Sequence, residues 1–319
     1  MRILVTGGAG YIGSAATAIL IEKGYEVTVL DDCSTGHADS VDSRAKFIQG
    51  SLLDLHAIRA ALSGCEAVIH FGAKSLVGES VEKPELYREV NVGGTQNLLA
   101  EMALTGITKL VFSSTAATYG QPKSSPITED AETFPTNPYG QTKLEVDQII
   151  TGATADGLAA ISLRYFNVAG ASKSSSGWLA ERHNPETHLI PNVLSATTSN
   201  PLKVFGNDWP TPDGTCIRDY VHVVDLIEAH IIALQKVKMG NHRIINLGSG
   251  SGYSVAQVIA AAEKVVGREI PYENSPRRAG DPAVLVADIS RAKSELSWTP
   301  TRTLEQMVSD TWDSQNARY

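Results

Sequence analysis

Through the first half of the chain, short apolar runs rich in β-branched residues alternate with longer stretches of helical period. Strands are expected near Arg2 to Thr6, Glu26 to Asp31, Lys46 to Gln49, Ala67 to Phe71, Lys109 to Ser113 and Ala160 to Tyr165. Their apolar character is nearly continuous, as for strands covered on both faces. Helices are expected near Tyr11 to Lys23, His56 to Leu62, Glu85 to Leu104 and Tyr139 to Ala153, the last preceded by a cap and a first-turn proline at Asn137-Pro138. Such alternation predicts βαβ units wound on both faces of a parallel sheet, an α/β fold. After Phe166 the pattern is irregular, and Ala171 to Glu186, rich in Ser, Gly, Pro and charge, reads as a surface loop. Helical runs resume at Val224 to Lys236 and Val255 to Val266, separated by the apolar run Arg243 to Leu247 and the glycine-serine turn Gly248 to Gly252.

A chain of 319 residues, 42% hydrophobic, is long enough for two lobes. Its net charge of -8 and pI near 5.5 argue against general attraction to nucleic acid or acidic membranes. Three cysteines, Cys33, Cys65 and Cys216, are too few and too scattered for a disulfide framework or a short-spaced zinc site, so no metal centre is expected. No signal-peptide pattern opens the chain and no apolar stretch reaches the ~20 residues of a membrane span, so a soluble cytoplasmic protein is expected.

Gly7, Gly10 and Gly13 fall where the first strand passes into the first helix, with Tyr11 and Ile12 opening that helix. Glycines there allow a tight turn, close approach of a pyrophosphate and close helix packing, and the helix N-terminus favours negative charge. Asp31 and Asp32 end the next predicted strand. A carboxylate at that point accepts both ribose hydroxyls of a dinucleotide and repels a 2′-phosphate, which favours NAD over NADP. The alternative is that the two aspartates only cap a turn.

Tyr139 and Lys143 stand four residues apart on a predicted helix and so share one face. An ammonium beside a phenol favours phenolate, and a phenolate can take the proton of a sugar hydroxyl as hydride leaves the same carbon. The hydroxyl-rich strand end Ser113-Ser114-Thr115 is expected at the carboxyl edge of the sheet, where Thr115 is placed to bond either Tyr139 or the reacting hydroxyl. Tyr-x-x-x-Lys alone occurs by chance; the glycine turn and Thr115 give it context.

The Gly-x-x-Gly-x-x-Gly spacing resembles that of the short-chain dehydrogenase/reductase family, extended branch. The strings "RILVTGGAGYIGS" (from Arg2), "VGES" (Val77), "YGQTK" (Tyr139), "LRYFNVAGA" (Leu163), "FGNDWPTPDGT" (Phe205), "RDYVHVVDL" (Arg218) and "PRRAGD" (Pro276) resemble the nucleotide-sugar epimerases of that branch over nearly the whole chain. The resemblance implies a Rossmann domain over residues 1–166 and a smaller mixed α/β lobe mainly over residues 167–319, with some segments returning to the first. It implies tightly held NAD and the interconversion of UDP-glucose and UDP-galactose by inversion at C4′ through a transient 4-keto sugar. Thr115, Tyr139 and Lys143 are then catalytic. Gly7, Gly10, Tyr11, Ile12, Gly13, Asp31, Asp32, Ser51, Leu52, Phe71, Asn91, Ser113, Tyr139, Lys143, Tyr165 and Phe166 are implied to hold the cofactor. Thr115, Tyr139, Asn167, His188, Leu189, Phe205, Arg218, Arg278, Asp281 and Leu285 are implied to hold the UDP-hexose, with the arginines on the diphosphate and Asp281 on the uridine ribose.

Three positions depart from well-known bacterial members: Ser51 replaces an aspartate, Ser75 a lysine and His188 an asparagine. His188 is open to two readings, a donor to the diphosphate or a packed or solvent-facing histidine. Leu285 stands where side-chain size is implied to set acceptance of N-acetylated sugars, and its intermediate bulk predicts slight activity on them. Apolar residues Leu98, Leu99, Met102, Val146, Ile149 and Ile150 serve either the core or a homodimer interface, which the resemblance implies. Other epimerase substrates, N-acetylhexosamines or pentoses on UDP, and a non-catalytic nucleotide-sugar sensor remain alternatives.

Overall fold

The computed structural model describes residues 1–175, 177–278 and 281–317. Its first elements in chain order are β1 (Arg2–Thr6), α1 (Tyr11–Glu22), β2 (Glu26–Asp31), β3 (Lys46–Gln49), α2 (Leu55–Leu62), β4 (Ala67–His70), α3 (Val77–Glu82), α4 (Pro84–Tyr87), α5 (Gly94–Thr105), β5 (Lys109–Thr115), α6 (Pro138–Ala153) and β6 (Ala159–Tyr165). There follow β7 (Asn167–Ala169), β8 (Ser172–Ser174), β9 (Gly177–Leu179), α7 (Leu189–Ser195), β10 (Leu202–Phe205), β11 (Ile217–Arg218), β12 (Tyr220–His222), α8 (Val223–Lys236), β13 (His242–Leu247), β14 (Tyr253–Ser254), α9 (Val255–Val266), β15 (Tyr272–Ser275), β16 (Val284–Leu285) and α10 (Leu304–Asn316).

The chain forms two compact units. The first comprises Met1–Gly120, Ala131–Tyr165 and Ile227–Ile245, and the second Gln121–Asp130, Phe166–Leu226 and the chain from Asn246 onward. In the first, the sheet order is β13-β6-β5-β4-β1-β2-β3, and every neighbouring pair from β6 to β3 is parallel. The chain winds from β1 outward to β3, then returns to β4 on the other side of β1. The carboxyl ends of β1 and β4 therefore form the switch point at which such sheets bind ligands. Leu4, Leu30, Ile58, Leu62, Val68, Leu98, Met102, Leu110, Phe112, Val146 and Ile150 pack one core, on which Leu99 and Ile149 lie partly buried.

Local sequence accounts for the helix ends. Asn137 accepts from Gly140 N at 2.9 Å and Pro138 opens α6, the expected cap. Ser254 with Gln257, and Thr303 with Gln306, form reciprocal capping boxes at α9 and α10. The second unit packs Ile190, Val193, Leu194, Leu202, Val204, Tyr220, Val258, Ile259, Ala262, Ile270, Leu304, Met307 and Val308 around α7, α9 and α10.

Three features differ from the sequence reading. The helix expected from Glu85 to Leu104 is present without interruption but changes its winding: a π-helical stretch, Arg88–Gly93, joins α4 to α5. The expected loop Ala171 to Glu186 contains the antiparallel pair β8–β9, its Ser176 lying outside the described residues. The apolar run Arg243 to Leu247 becomes β13, a strand of the main sheet. Among the described residues no helix is long and apolar enough to cross a membrane.

Candidate active site

The glycine turn lies at the switch point. Gly7 has φ +72°, and a Cβ there would meet Gly72 N, just past β4, at 2.7 Å. A Cβ on Gly13 would stand 2.0 Å from Gly7 O, so α1 can pack on the turn only without a side chain. At Gly10 the nearest obstacle is Gly7 O at 3.4 Å, and α1 begins there with no side-chain cap and no acidic residue in its first turn, Tyr11 to Gly13. A bare, uncapped helix start beside a glycine turn suits an anionic pyrophosphate. At the end of β2, Asp31 accepts from Ala9 N at 2.9 Å and Cys33 N at 2.8 Å, one on each oxygen. Burial pushes its carboxyl up, and neighbouring Asp32 adds to that, while the two backbone donors oppose it. Asp32 accepts from Ser34 N at 2.8 Å, so both aspartates cap the turn. Each Asp31 oxygen keeps lone pairs for a ribose hydroxyl, so capping and diol binding are compatible.

Around this point, Ser51 Oγ accepts from Leu53 N and Leu52 is buried. The Phe71 ring lies 4.8 Å from His230. The Asn91 amide is committed to protein: it accepts from Lys74 N at 2.8 Å and donates to Lys74 O at 3.0 Å and Thr142 Oγ1 at 3.1 Å. It thus braces the loop after β4, whereas Ser75 in that loop is exposed. Phe166 is buried and belongs to the second unit.

Thr115 ends β5 and caps the following turn through Ala117 N, and its side chain hydrogen-bonds the Tyr139 phenol. One turn along α6, Lys143 is 2% exposed. It donates to Ser113 O at 2.7 Å and lies 4.7 Å above the Phe112 ring. Ser113 Oγ and Tyr165 Oη share a short hydrogen bond beside it. Burial pushes the Lys143 ammonium down to about 7, with Asp147 resisting. Burial pushes the Tyr139 phenol up to about 12, with Thr115 resisting. Desolvation dominates both groups, so the expected lowering of the phenol by Lys143 is outweighed by burial.

Two further residues escaped the sequence reading. Asp147, one more turn along α6, accepts from Ser114 Oγ at 3.0 Å and from Arg164 at 2.9 and 3.0 Å, a pair with both side chains no more than 3% exposed. The spacing Tyr139, Lys143, Asp147 carried the signal, since all three share one helix face. His70, fully buried, contacts Thr6 Oγ1 at 2.6 Å and Thr95 Oγ1 at 2.9 Å, while Thr6 Oγ1 accepts from Gly72 N. Burial, and secondarily the Lys143 charge, push this imidazole down to about 3, so it ties the end of β4 to the end of β1 and to α5 as a neutral ring.

The second unit contains a pocket of about 440 Å³. Asn167, His188, Leu189, Phe205, Arg218, Arg278 and Asp281 all line it. The Arg278 guanidinium lies 3.9 Å from the Phe205 ring centre. Arg218 donates to Ile217 O and Pro282 O, both at 2.9 Å, and comes within 3.5 Å of Asp281. Asn167 donates to Asp219 O at 3.0 Å. The adjacent arginines part company: Arg277 lies over Trp209 and pairs with exposed Asp208, away from this pocket, while Arg278 faces into it. Ala279 and Gly280 of the same string lie outside the described residues. Leu285 pairs with Arg218 across β16 and β11 but does not line the pocket. His188 Nδ1 lies 2.6 Å from Glu181 Oε1 and 3.3 Å from Glu186 Oε1. Burial disfavours its charge, but the two carboxylates outweigh it and push the imidazole up to about 10, so this pocket-lining ring is tied to acidic partners.

A glycine cradle at the switch point of a doubly wound sheet, with a threonine, tyrosine and lysine at the carboxyl edge, defines a dinucleotide-dependent enzyme of dehydrogenase type. Residues 3–248 match the NAD dependent epimerase/dehydratase family, and the chain belongs to it. It is 54% identical to UDP-glucose 4-epimerase of Corynebacterium glutamicum over 98% of this chain and 95% of that protein. Against the UDP-glucose 4-epimerase of Streptomyces lividans the identity is 49%, over 98% and 95%. UDP-glucose-4-epimerase from Stenotrophomonas maltophila, solved with bound NAD and formylated UDP-arabinopyranose, superposes with a TM-score of 0.94 at 38% identity, over 100% of this chain and 98% of that one. The α/β fold and the NAD-dependent isomerase class expected from the sequence are thereby borne out.

Proposed function

We propose that this protein interconverts UDP-glucose and UDP-galactose by inverting C4′ of the hexose. The observation that carries the reading is the Thr115, Tyr139 and Lys143 set in a chain whose second unit holds a pocket lined by Asn167, Arg218, Arg278 and Asp281. Gly7, Gly10, Gly13 and Asp31 hold NAD, which when bound supplies a reversible hydride acceptor and a positive ring that favours phenolate. Tyr139 takes the proton of the 4′-hydroxyl through its phenolate oxygen, with Thr115 orienting that oxygen. Lys143, fixed on Ser113 O one turn along α6, completes the set. Loss of hydride from C4′ leaves a 4-keto sugar, and return of that hydride to either face of C4′, with the proton from Tyr139 going back to the oxygen, completes either epimer.

Inversion requires a firmly held nucleotide and a loosely held hexose. Phe205 and Arg278 offer a flat cationic surface, Arg218 a second guanidinium for phosphate oxygens, and Asp281 an acceptor for a ribose diol. The reading includes a cytoplasmic homodimer that uses the sides of α5 and α6 left incompletely covered at Leu99 and Ile149, with Leu104 exposed at the end of α5. Light scattering at micromolar concentration tests the dimer.

The activity is tested by incubating purified protein with UDP-galactose, UDP-N-acetylgalactosamine and UDP-xylose in parallel and separating the products. The proposal expects UDP-glucose from UDP-galactose as the fastest conversion. Faster turnover of either other substrate would reassign it, and no turnover of any would leave a binding protein.

A further inference from the structure

We propose that Glu181, His183, Glu186 and His188 form a binding site for one divalent transition-metal ion, with Zn²⁺ the best match, and that the ion pins the segment leading into α7. The four residues offer one ligand atom each, all within 4.8 Å of one another. Four ligands at 2.0–2.2 Å from a tetrahedral ion stand ~3.3–3.5 Å apart. Three of the pairs stand at 2.6 Å (His188 Nδ1 to Glu181 Oε1), 3.0 Å (His183 Nδ1 to Glu181 Oε1) and 3.3 Å (His188 Nδ1 to Glu186 Oε1), close to that spacing, and small side-chain adjustments would complete the site.

The donor chemistry points the same way. Two imidazole nitrogens and two carboxylates make a set preferred by Zn²⁺ over Mg²⁺ or Ca²⁺, and its two negative charges balance the ion. The His183 Nδ1 atom is shielded from solvent without a well-aligned hydrogen-bond partner, its neighbour being Glu181 Oε1 at 3.0 Å, a placement that suits two ligands of a common ion. Glu186 Oε1 accepts from Thr187 N at 2.7 Å and His188 N at 2.8 Å, which fixes the carboxylate and leaves Oε2 for the ion. Glu181 and His188 also line the 440 Å³ pocket, so an ion here would fix one wall of it. With four protein ligands the site is closed, which assigns it a structural part rather than a chemical one. The proposal stands apart from the epimerase reading, because it concerns metal uptake alone.

The test uses the full-length protein, stripped with chelator, desalted and titrated with Zn²⁺ by calorimetry, with bound metal counted by elemental analysis. One Zn²⁺ per chain and a rise in Tm on its addition are expected. His183→Ala should weaken binding by at least ~100-fold, more than outer-shell losses usually cost, and should abolish the Tm rise. Glu186→Gln provides a second variant should the first not fold. No uptake by the unmodified protein, or uptake unchanged in the variants, as for an ion held by the cysteines, would overturn the proposal.

Discussion

Replacing Lys143 with Met isolates the electrostatics of the catalytic face. The buried ammonium titrates at about 7 in the folded chain against an ordinary 10.5. Below the folded value both folded and unfolded chains carry the proton, and the full cost of burying the charge is present. Between the two values the unfolded chain holds one proton more, so stability rises with pH by ~1.4 kcal/mol per unit. From pH ~7.5 to ~9.5 this amounts to roughly 2–3 kcal/mol. Lys143→Met removes that slope. It also removes the bond to Ser113 O, a loss of ~1.5–3 kcal/mol for a charged donor, but this displaces the curve at low pH without adding a slope of its own. The assay is urea unfolding of nucleotide-free protein at a series of pH values, taking the difference between the two proteins so that other titrating groups cancel. Parallel pH profiles would show that Lys143 keeps its ordinary affinity for protons and that burial does not govern it.

Tyr139→Phe should lower kcat by ~10²–10⁴ while leaving UDP affinity within a few-fold; near-normal turnover would remove Tyr139 as the base. Gly13→Ala places a Cβ 2.0 Å from Gly7 O, so it should cost ~1–3 kcal/mol of stability and yield protein purified without NAD, measured by Tm and by nucleotide released on heating. Arg278→Met should weaken UDP binding ~10–100-fold by calorimetry, the loss of charged hydrogen bonds to phosphate, with little change where only NAD binds.

The features legible in the sequence are those set by near neighbours. Gly7, Gly10 and Gly13 are punctuated by backbone sterics within one turn, and Tyr139 and Lys143 share a face because of helix period alone. The Asn137-Pro138 cap is equally local. What stayed hidden depends on distant partners. Asp147 matters through Arg164, which lies on another element, and His70 through Thr6 and Thr95, on β1 and α5. The opposite fates of Arg277 and Arg278 depend on Trp209 and Phe205, which no spacing relates to them. The π-helical stretch Arg88–Gly93 keeps an apolar pattern close to that of the α-helix around it, so it left no mark. Around Pro185 the chain has no period, and the convergence of His183 and His188 on Glu181 appears only once the segment is folded.

The most direct test of the account follows the hydrogen at C4′. UDP-galactose carrying deuterium on that carbon is converted in ordinary water by the protein with its own bound NAD and no added cofactor. If hydride leaves C4′ for a tightly held cofactor and returns to the opposite face while Tyr139 handles only the hydroxyl proton, the UDP-glucose formed keeps its deuterium at C4′. UDP-glucose with hydrogen from the solvent at that carbon would contradict it.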